Sequence, residues 1–387
     1  MKTILVTGGA GYIGSITVKE LVKQGYNVVV LDSLEAGFKV AVYPKAKLEI
    51  CDLADKKATD VVFKKHKIDA VIDFAAYLAV GESMSDPKKY LKNNVDNFIN
   101  LLDVMKENNC SYIIKSSTAA VYGNPTKKSD IPWQENFTEE YKPEKSALLE
   151  GDWDGTDVSD EDFFTKIIEY YESKYQNRPE LKLSDEEKTK LKIPMSVYGL
   201  TKLIDEIVLK KYDIVCGIKS IALRYFNVCG ADSEGTLGDG KPKPTNLMTL
   251  TIWQALGKKP NIEIFGQDYE TADGTGVRDY IHPSDLATGH IKALEYLIDK
   301  NIGDVFNLGT GSGSSVLEVI SAVEKACSKK IITKNSPRRS GDPAVSVANS
   351  DKAQNMLNWK AKYNLADMAE TAWKWHSSHS DGYKTNS

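Results

Sequence analysis

The sequence predicts an α/β protein: a doubly wound parallel sheet with a smaller C-terminal α/β lobe and a helical insertion. Three observations carry this. Short Val/Ile-rich runs alternate with stretches of helical length through the first third, a glycine turn joins the first run to the first such stretch, and the segment from about 138 to 192 breaks the alternation with an acidic, strand-free composition. Such alternation stacks parallel strands between helices on both faces.

The elements follow in chain order. Thr3–Thr7, Asn27–Leu31, Lys47–Ile50, Ala70–Phe74 and Tyr112–Lys115 read as strands, being short apolar runs rich in β-branched residues. Between the first two, Ser15–Gln24 reads as a helix stopped by Gly25. In the insertion, Ser159-x-x-Asp162 and Ser184-x-x-Glu187 have the spacing of capping boxes, the first ahead of Phe163, Phe164, Ile167, Ile168 and Tyr171 on one helix face. That face must bury against something; a lid, a dimer-contact hairpin and a surface decoration all fit. The pattern resumes with a helix around Tyr198–Lys210 and a strand at Ser220–Arg224. From Asn227 glycine, proline and loops increase, dividing the chain into a first domain over 1–226 and a smaller lobe over 227–387.

Composition narrows the partners. A net charge of −4 with both signs dispersed leaves no basic footprint for nucleic acid. Cys51, Cys110, Cys216, Cys229 and Cys327 are scattered and never form a CxxC pair, which points to thiols in a reducing compartment and gives no metal site. The amino end runs straight into a strand and glycines, too short an apolar stretch for a signal peptide or membrane span, so cytoplasm is expected.

Parallel sheets bind ligands at the carboxyl ends of their strands. There Thr7-Gly8-Gly9-Ala10-Gly11-Tyr12-Ile13-Gly14 satisfies both GxGxxG and GxxGxxG. Its glycines permit a tight turn, backbone approach to a pyrophosphate at the helix N-terminus and, at Gly14, close helix-strand packing. Asp32 ends the second strand where a carboxylate binds an adenine ribose, and it repels a 2′-phosphate that no arginine in Ser33-Leu34 would hold. NAD is therefore the expected cofactor. Asp52 and Leu53 follow the third strand, where they meet an adenine edge or, for Asp52, simply solvent.

Tyr198-Gly199-Leu200-Thr201-Lys202 places a phenol and an ammonium on one helix face. A nearby cation lowers a phenol's pKa from about 10, toward use as a general base. A surface Tyr–Lys pair would look the same in isolation. Its company is a dinucleotide-type fold and a hydroxyl-rich strand end, Ser116-Ser117-Thr118.

With these motifs in order the chain resembles the extended short-chain dehydrogenase/reductases, which have a Rossmann-type fold, and within them the UDP-glucose (UDP-galactose) 4-epimerase family. The blocks are TGGAGYIG, AVGES at Ala79–Ser83, NNV at Asn93–Val95, SSTAAVYG at Ser116–Gly123, YGLTK, LRYFNVCGA at Leu223–Ala231, NLM at Asn246–Met248, IFGQDYETADGTGVRDYIHPSDLA at Ile264–Ala287, FNLGTG at Phe306–Gly311 and RRSGDPA at Arg338–Ala344. They span nearly the whole chain except the insertion.

The resemblance implies that Tyr198 takes the sugar 4-OH proton. Lys202 would depress the Tyr198 pKa and hold the nicotinamide ribose, and Thr118, at the family's serine position, would bond the 4-oxygen. It further implies NAD contacts from Gly8, Gly11, Tyr12, Ile13, Gly14, Asp32, Asp52, Leu53, Phe74, Ala75, Ala76 and Asn93, with Tyr225 and Phe226 flanking the nicotinamide. The UDP-sugar would meet Asn227, Asn246, Leu247, Phe265, Arg278, Arg339, Asp342 and Ser346, the two arginines at the diphosphate and Asp342 at the uridine ribose. An Arg278–Asp279 surface pair is the alternative there. His282 is expected to fix a loop, and a homodimer is implied.

Related dehydratases carry an Asp-Glu pair after the threonine, where this chain has Ala119 and Ala120, so elimination lacks its acid. Two further departures stand out: Leu78 replaces a lysine, removing a positive charge near the cofactor, and Asp73 replaces a histidine. At Ser346 a small residue replaces a tyrosine found in some members, which would leave room for an N-acetyl group. A nucleotide-sugar oxidoreductase and a non-catalytic NAD sensor are the competing readings; a sensor needs neither Tyr198 nor Lys202.

Overall fold

In the computed structural model the described residues are 2–124, 131–135, 161–339 and 342–383. Parallel strands β1 (Thr3–Thr7), β2 (Asn27–Asp32), β3 (Lys47–Ile50), β4 (Ala70–Asp73), β5 (Tyr112–Ser116) and β6 (Lys219–Tyr225) join a later strand in one seven-stranded sheet. Side chains alternate across it. Ile4 and Val6 face one core with Val28, Val30, Ile72 and Ile114, while Leu5 faces the other with Val29, Leu31, Val71 and Ile113. Burial on both faces explains why these strands read as continuous apolar runs.

After β6 come β7 (Asn227–Val228), β8 (Ile262–Phe265), β9 (Val277–Ile281), β10 (Asp304–Leu308), β11 (Gly313–Ser315), β12 (Thr333–Ser336) and β13 (Val345–Ser346). The large sheet runs β10-β6-β5-β4-β1-β2-β3, so the order reverses between β1 and β4, where a crevice opens at the carboxyl edge. β7, β11 and β13 pair with β9, and β12 pairs with β8, forming the smaller lobe.

The expected division at 227 does not separate these layers. β10 lies parallel to β6, and the Pro283–Lys300 helix packs against Tyr12–Lys23, both contributed by residues assigned from sequence to the second lobe. Loop-rich sequence between them hid that return to the first layer.

The described part of the insertion holds helices Glu161–Lys174 and Asp185–Lys190, the latter with the expected Ser184–Glu187 capping box. Ser159 lies outside the described residues, as do the side chains of Asp162, Phe163 and Phe164. Ile167, Ile168 and Tyr171 are buried in the same core as Leu101, Leu203 and Tyr212. Arg178 donates to both Asp103 oxygens at 2.9 and 3.1 Å and to the Tyr212 hydroxyl at 2.8 Å, clamping the segment to helices Asn97–Glu107 and Val197–Cys216. This is integrated core rather than decoration, and no residue from 161 to 192 lines the crevice.

Candidate active site

The glycine turn is tight because only hydrogen fits. Gly8 has φ +66°, and a Cβ there would lie 2.9 Å from the Ala75 nitrogen; at Gly14 it would lie 2.3 Å from the Gly8 carbonyl oxygen. Gly11 starts the Tyr12–Lys23 helix without a side-chain cap, leaving its first amides free for an anion. The helix thus begins three residues before the expected Ser15. The Asp32 carboxylate accepts from the Ala10 and Leu34 amides, each at 2.9 Å, which fixes it at the end of β2.

One crevice runs from this turn to Lys202. Every cofactor residue named from the sequence lines it except Phe226, which is half-buried and packs on the core. Backbone cradle, free helix terminus and fixed carboxylate fit a dinucleotide. Leu78, at 49% exposure, also lines it, placing an apolar side chain where the resemblance had a lysine. Sequence reading missed Phe38, Tyr77, Asp239, Lys241 and Tyr383, which reach the crevice from loops and the C-terminal segment without a motif.

The Val197–Cys216 helix presents both catalytic candidates. Ser196 caps it by accepting from the Gly199 amide at 3.1 Å, and the Tyr198 amide donates to the Ser83 hydroxyl at 3.1 Å. Gly199 lets this helix approach the Thr118 loop, since a Cβ there would sit 2.5 Å from the Ala120 carbonyl oxygen. Lys202 Nζ donates to the Ser116 carbonyl at 2.9 Å, and the Ser116 and Tyr225 hydroxyls are bonded to each other. Burial pushes the Tyr198 phenol up, opposed by a hydrogen bond with Thr118 and by the Lys115 charge. Burial and Lys115 lower the Lys202 ammonium to about 8.

A six-residue π-helical turn, Leu91–Asp96, sets Asn93 on the crevice wall and Asn94 beneath it. Asn94 accepts from the Tyr77 amide at 2.9 Å and donates to the Thr201 hydroxyl at 3.1 Å, tying the crevice wall to the catalytic helix.

In the smaller lobe Arg278 meets Asp342 at 2.6 Å, and the Arg339 guanidinium lies 3.8 Å from the Phe265 ring centre. Asp279 is not Arg278's partner. It is buried and accepts from the Thr310, Gly311 and Ala348 amides. Asn246 caps the helix it precedes by accepting from the Thr249 amide at 2.8 Å, and Leu247 opens that helix; Asn227 is exposed on β7. Ser346 pairs in register with Arg278, and its hydroxyl accepts from the Trp133 indole at 3.2 Å. His282 caps the Pro283–Lys300 helix by accepting from the Ser284 amide at 3.1 Å and stacks on Tyr363.

Matching the chain to family models finds the NAD dependent epimerase/dehydratase family over residues 4–147 and 172–309. A UDP-glucose 4-epimerase of Streptococcus mutans is 39% identical over 383 residues, covering 98% of each chain. Among solved structures, UDP-glucose 4-epimerase from Bifidobacterium longum in complex with NAD+ and UDP is 35% identical with TM-score 0.78, covering 99% of this chain and 100% of that one. The UDP-Glc/GlcNAc 4-epimerase of Campylobacter jejuni is 33% identical with TM-score 0.72, covering 98% and 100%.

Proposed function

Because the chain belongs to the NAD dependent epimerase/dehydratase family, we propose that its crevice inverts C4 of a UDP-hexose, interconverting UDP-galactose and UDP-glucose through a transient 4-keto sugar. The observation that carries this reading is the placement of Tyr198 and Lys202 on the wall of a dinucleotide crevice, beside a Thr118 loop that continues with Ala119 and Ala120. The glycine turn from Gly8 to Gly14 and Asp32 would hold NAD, which would supply a reversible hydride acceptor for C4 with no net oxidation.

Tyr198 takes the 4-OH proton as the ketone forms and gives it back on reduction. Lys202 keeps a positive charge beside that phenol, and Thr118 holds the 4-oxygen within its reach. Arg278 and Arg339 bind the diphosphate, with Arg278 exchanging its Asp342 contact for it, and Asn227, Asn246, Leu247 and Phe265 enclose the uridine end. The protein acts in the cytoplasm as a homodimer in this reading; among the described residues no helix is long and apolar enough to cross a membrane.

Incubating purified protein with UDP-galactose and no added NAD tests the reading. UDP-glucose without NADH accumulation is expected; NADH that stops at one equivalent of the bound cofactor and resumes when NAD is added would make it an oxidoreductase, and bound NAD with no product would make it a sensor.

Turnover of UDP-N-acetylglucosamine is the finer part of the proposal and rests on the small Ser346 side chain. Trp133, 1% exposed and stacked on Tyr122, donates its indole N–H to that hydroxyl at 3.2 Å and would bound the space in this reading. Trp133→Ala is therefore expected to raise the acetylated sugar's kcat/KM relative to UDP-galactose. Wild-type protein that leaves the acetylated sugar untouched removes this extension and not the epimerase reading.

A further inference from the structure

Resting on that reading, we propose that Asp73, Lys115 and Asp205 form a buried positioning cluster that sets the pH window in which Lys202 carries its charge beside Tyr198. None of the three has a part in the chemistry above, and nothing in the motifs pointed to Lys115 or Asp205.

A lysine in the middle of a parallel sheet is costly unless paired. Lys115 has no exposed side-chain surface; its ammonium lies 2.6 Å from Asp73 Oδ2 and 2.9 Å from Asp205 Oδ2, over the Phe98 ring. Asp73 is held on its other oxygen by the Thr7 hydroxyl and by the Ala75 amide at 3.2 Å. Asp205 stands three residues after Lys202 on one helix, and Lys202 is anchored to the carbonyl of Ser116, the residue after Lys115. Lys115 is thus carried by β5 and Lys202, from the neighbouring helix, is bonded to the next residue of that strand, and the two carboxylates compensate the repulsion between the ammoniums.

The groups facing Lys202 and Tyr198 come from every packed element. β4 supplies Asp73, β5 Lys115, and β6 Tyr225 through Ser116. Their own helix supplies Asp205 and Glu206, the latter neutralised by Arg224 at 2.6 Å, and the Thr118 loop supplies its hydroxyl. Tyr90, bonded to Glu82, is also close enough to Tyr198 to interact with it electrostatically.

Burial and Lys115 lower the Lys202 ammonium, while Asp205, Asp73 and Glu206 raise it. Asp205 raises the Tyr198 phenol and Lys115 lowers it. Burial pushes Asp205 up to about 6, so it is ionised through the neutral range. Removing its charge therefore moves the ionisation of both Tyr198 and Lys202 to lower pH, and removing the Lys115 charge moves both back.

The test is the pH profile of kcat for UDP-galactose conversion, for wild type, Asp205→Asn and the double variant Lys115→Met/Asp205→Asn. The first substitution is expected to displace both limbs toward acid by about one pH unit, and the double variant to return them. A structural role alone would lower kcat at every pH and leave the limbs in place, and that result overturns the proposal. Phenolate absorbance, taken as the difference between each protein and its Tyr198→Phe counterpart, must shift in the same direction. This readout needs no turnover, so it decides the proposal even where the epimerase reading fails. Should Asp205→Asn not fold, Asp73→Asn keeps the Lys115–Asp205 pair and must move the Lys202 limb the same way; no shift of that limb is equally decisive against it.

Discussion

Gly199→Ala isolates the approach of the catalytic helix to the Thr118 loop. The new Cβ would sit 2.5 Å from the Ala120 carbonyl oxygen and 3.1 Å from Pro194 Cβ. Restoring ordinary contact requires opening the helix from the loop by about 0.9 Å, and the obstacle is backbone that cannot rotate away. Overpacking costs about 1–3 kcal/mol, while alanine recovers about 1 kcal/mol of helix propensity, so the protein should fold with at most a modest loss of stability. Catalysis has no such compensation. The shift moves Tyr198 relative to Thr118, and a displacement near 1 Å costs on the order of 100-fold in rate. Steady-state conversion of UDP-galactose, beside a melting curve, separates the two effects. A kcat close to the parent's in a folded variant would refute the argument that Gly199 sets this geometry.

Gly14→Ala pushes a Cβ to 2.3 Å from the Gly8 carbonyl oxygen, so the purified variant should lose its NAD absorbance, and retained cofactor would contradict the assigned turn. Arg178→Ala removes the clamp on Asp103 and Tyr212 and should cost about 1–2 kcal/mol by denaturant titration with KM unchanged; a raised KM would instead make the insertion a lid. His290 is buried and pulled down to about 4 by burial, with Nδ1 donating to the Leu286 carbonyl at 2.8 Å. Its folded pKa lies below the unfolded value of about 6.5, so the stability present above that pH is lost as pH falls from 6.5 toward 4. His290→Gln should flatten the Tm decline over that window, and an unchanged slope would contradict the assignment.

The sequence was most legible where chemistry demands a local motif. Gly8 to Gly14, Asp32 and Tyr198 to Lys202 are each compact in sequence, and strand periods located six of the sheet's seven strands. β10 escaped because FNLGT sits within glycine-rich sequence and returns to β6 only through tertiary pairing. Trp133, Lys115 and Asp205 escaped for a related reason: a tryptophan in a loop or a lysine in a strand has no meaning until its neighbours are known. Lys115 did leave one signal, a charge inside the apolar run Tyr112–Ser116, which in a strand buried on both faces requires a partner. The Arg278–Asp342 contact likewise joins residues 64 apart, and the sequence offered the adjacent Asp279 instead.

The central claim is that hydrogen removed from C4 is returned to the same carbon while Tyr198 manages the hydroxyl proton. UDP-galactose deuterated at C4 tests it most directly. Converted by the purified protein in ordinary water, it should give UDP-glucose that keeps its deuterium at C4, with conversion abolished in Tyr198→Phe. Product carrying solvent hydrogen at C4 would contradict the account.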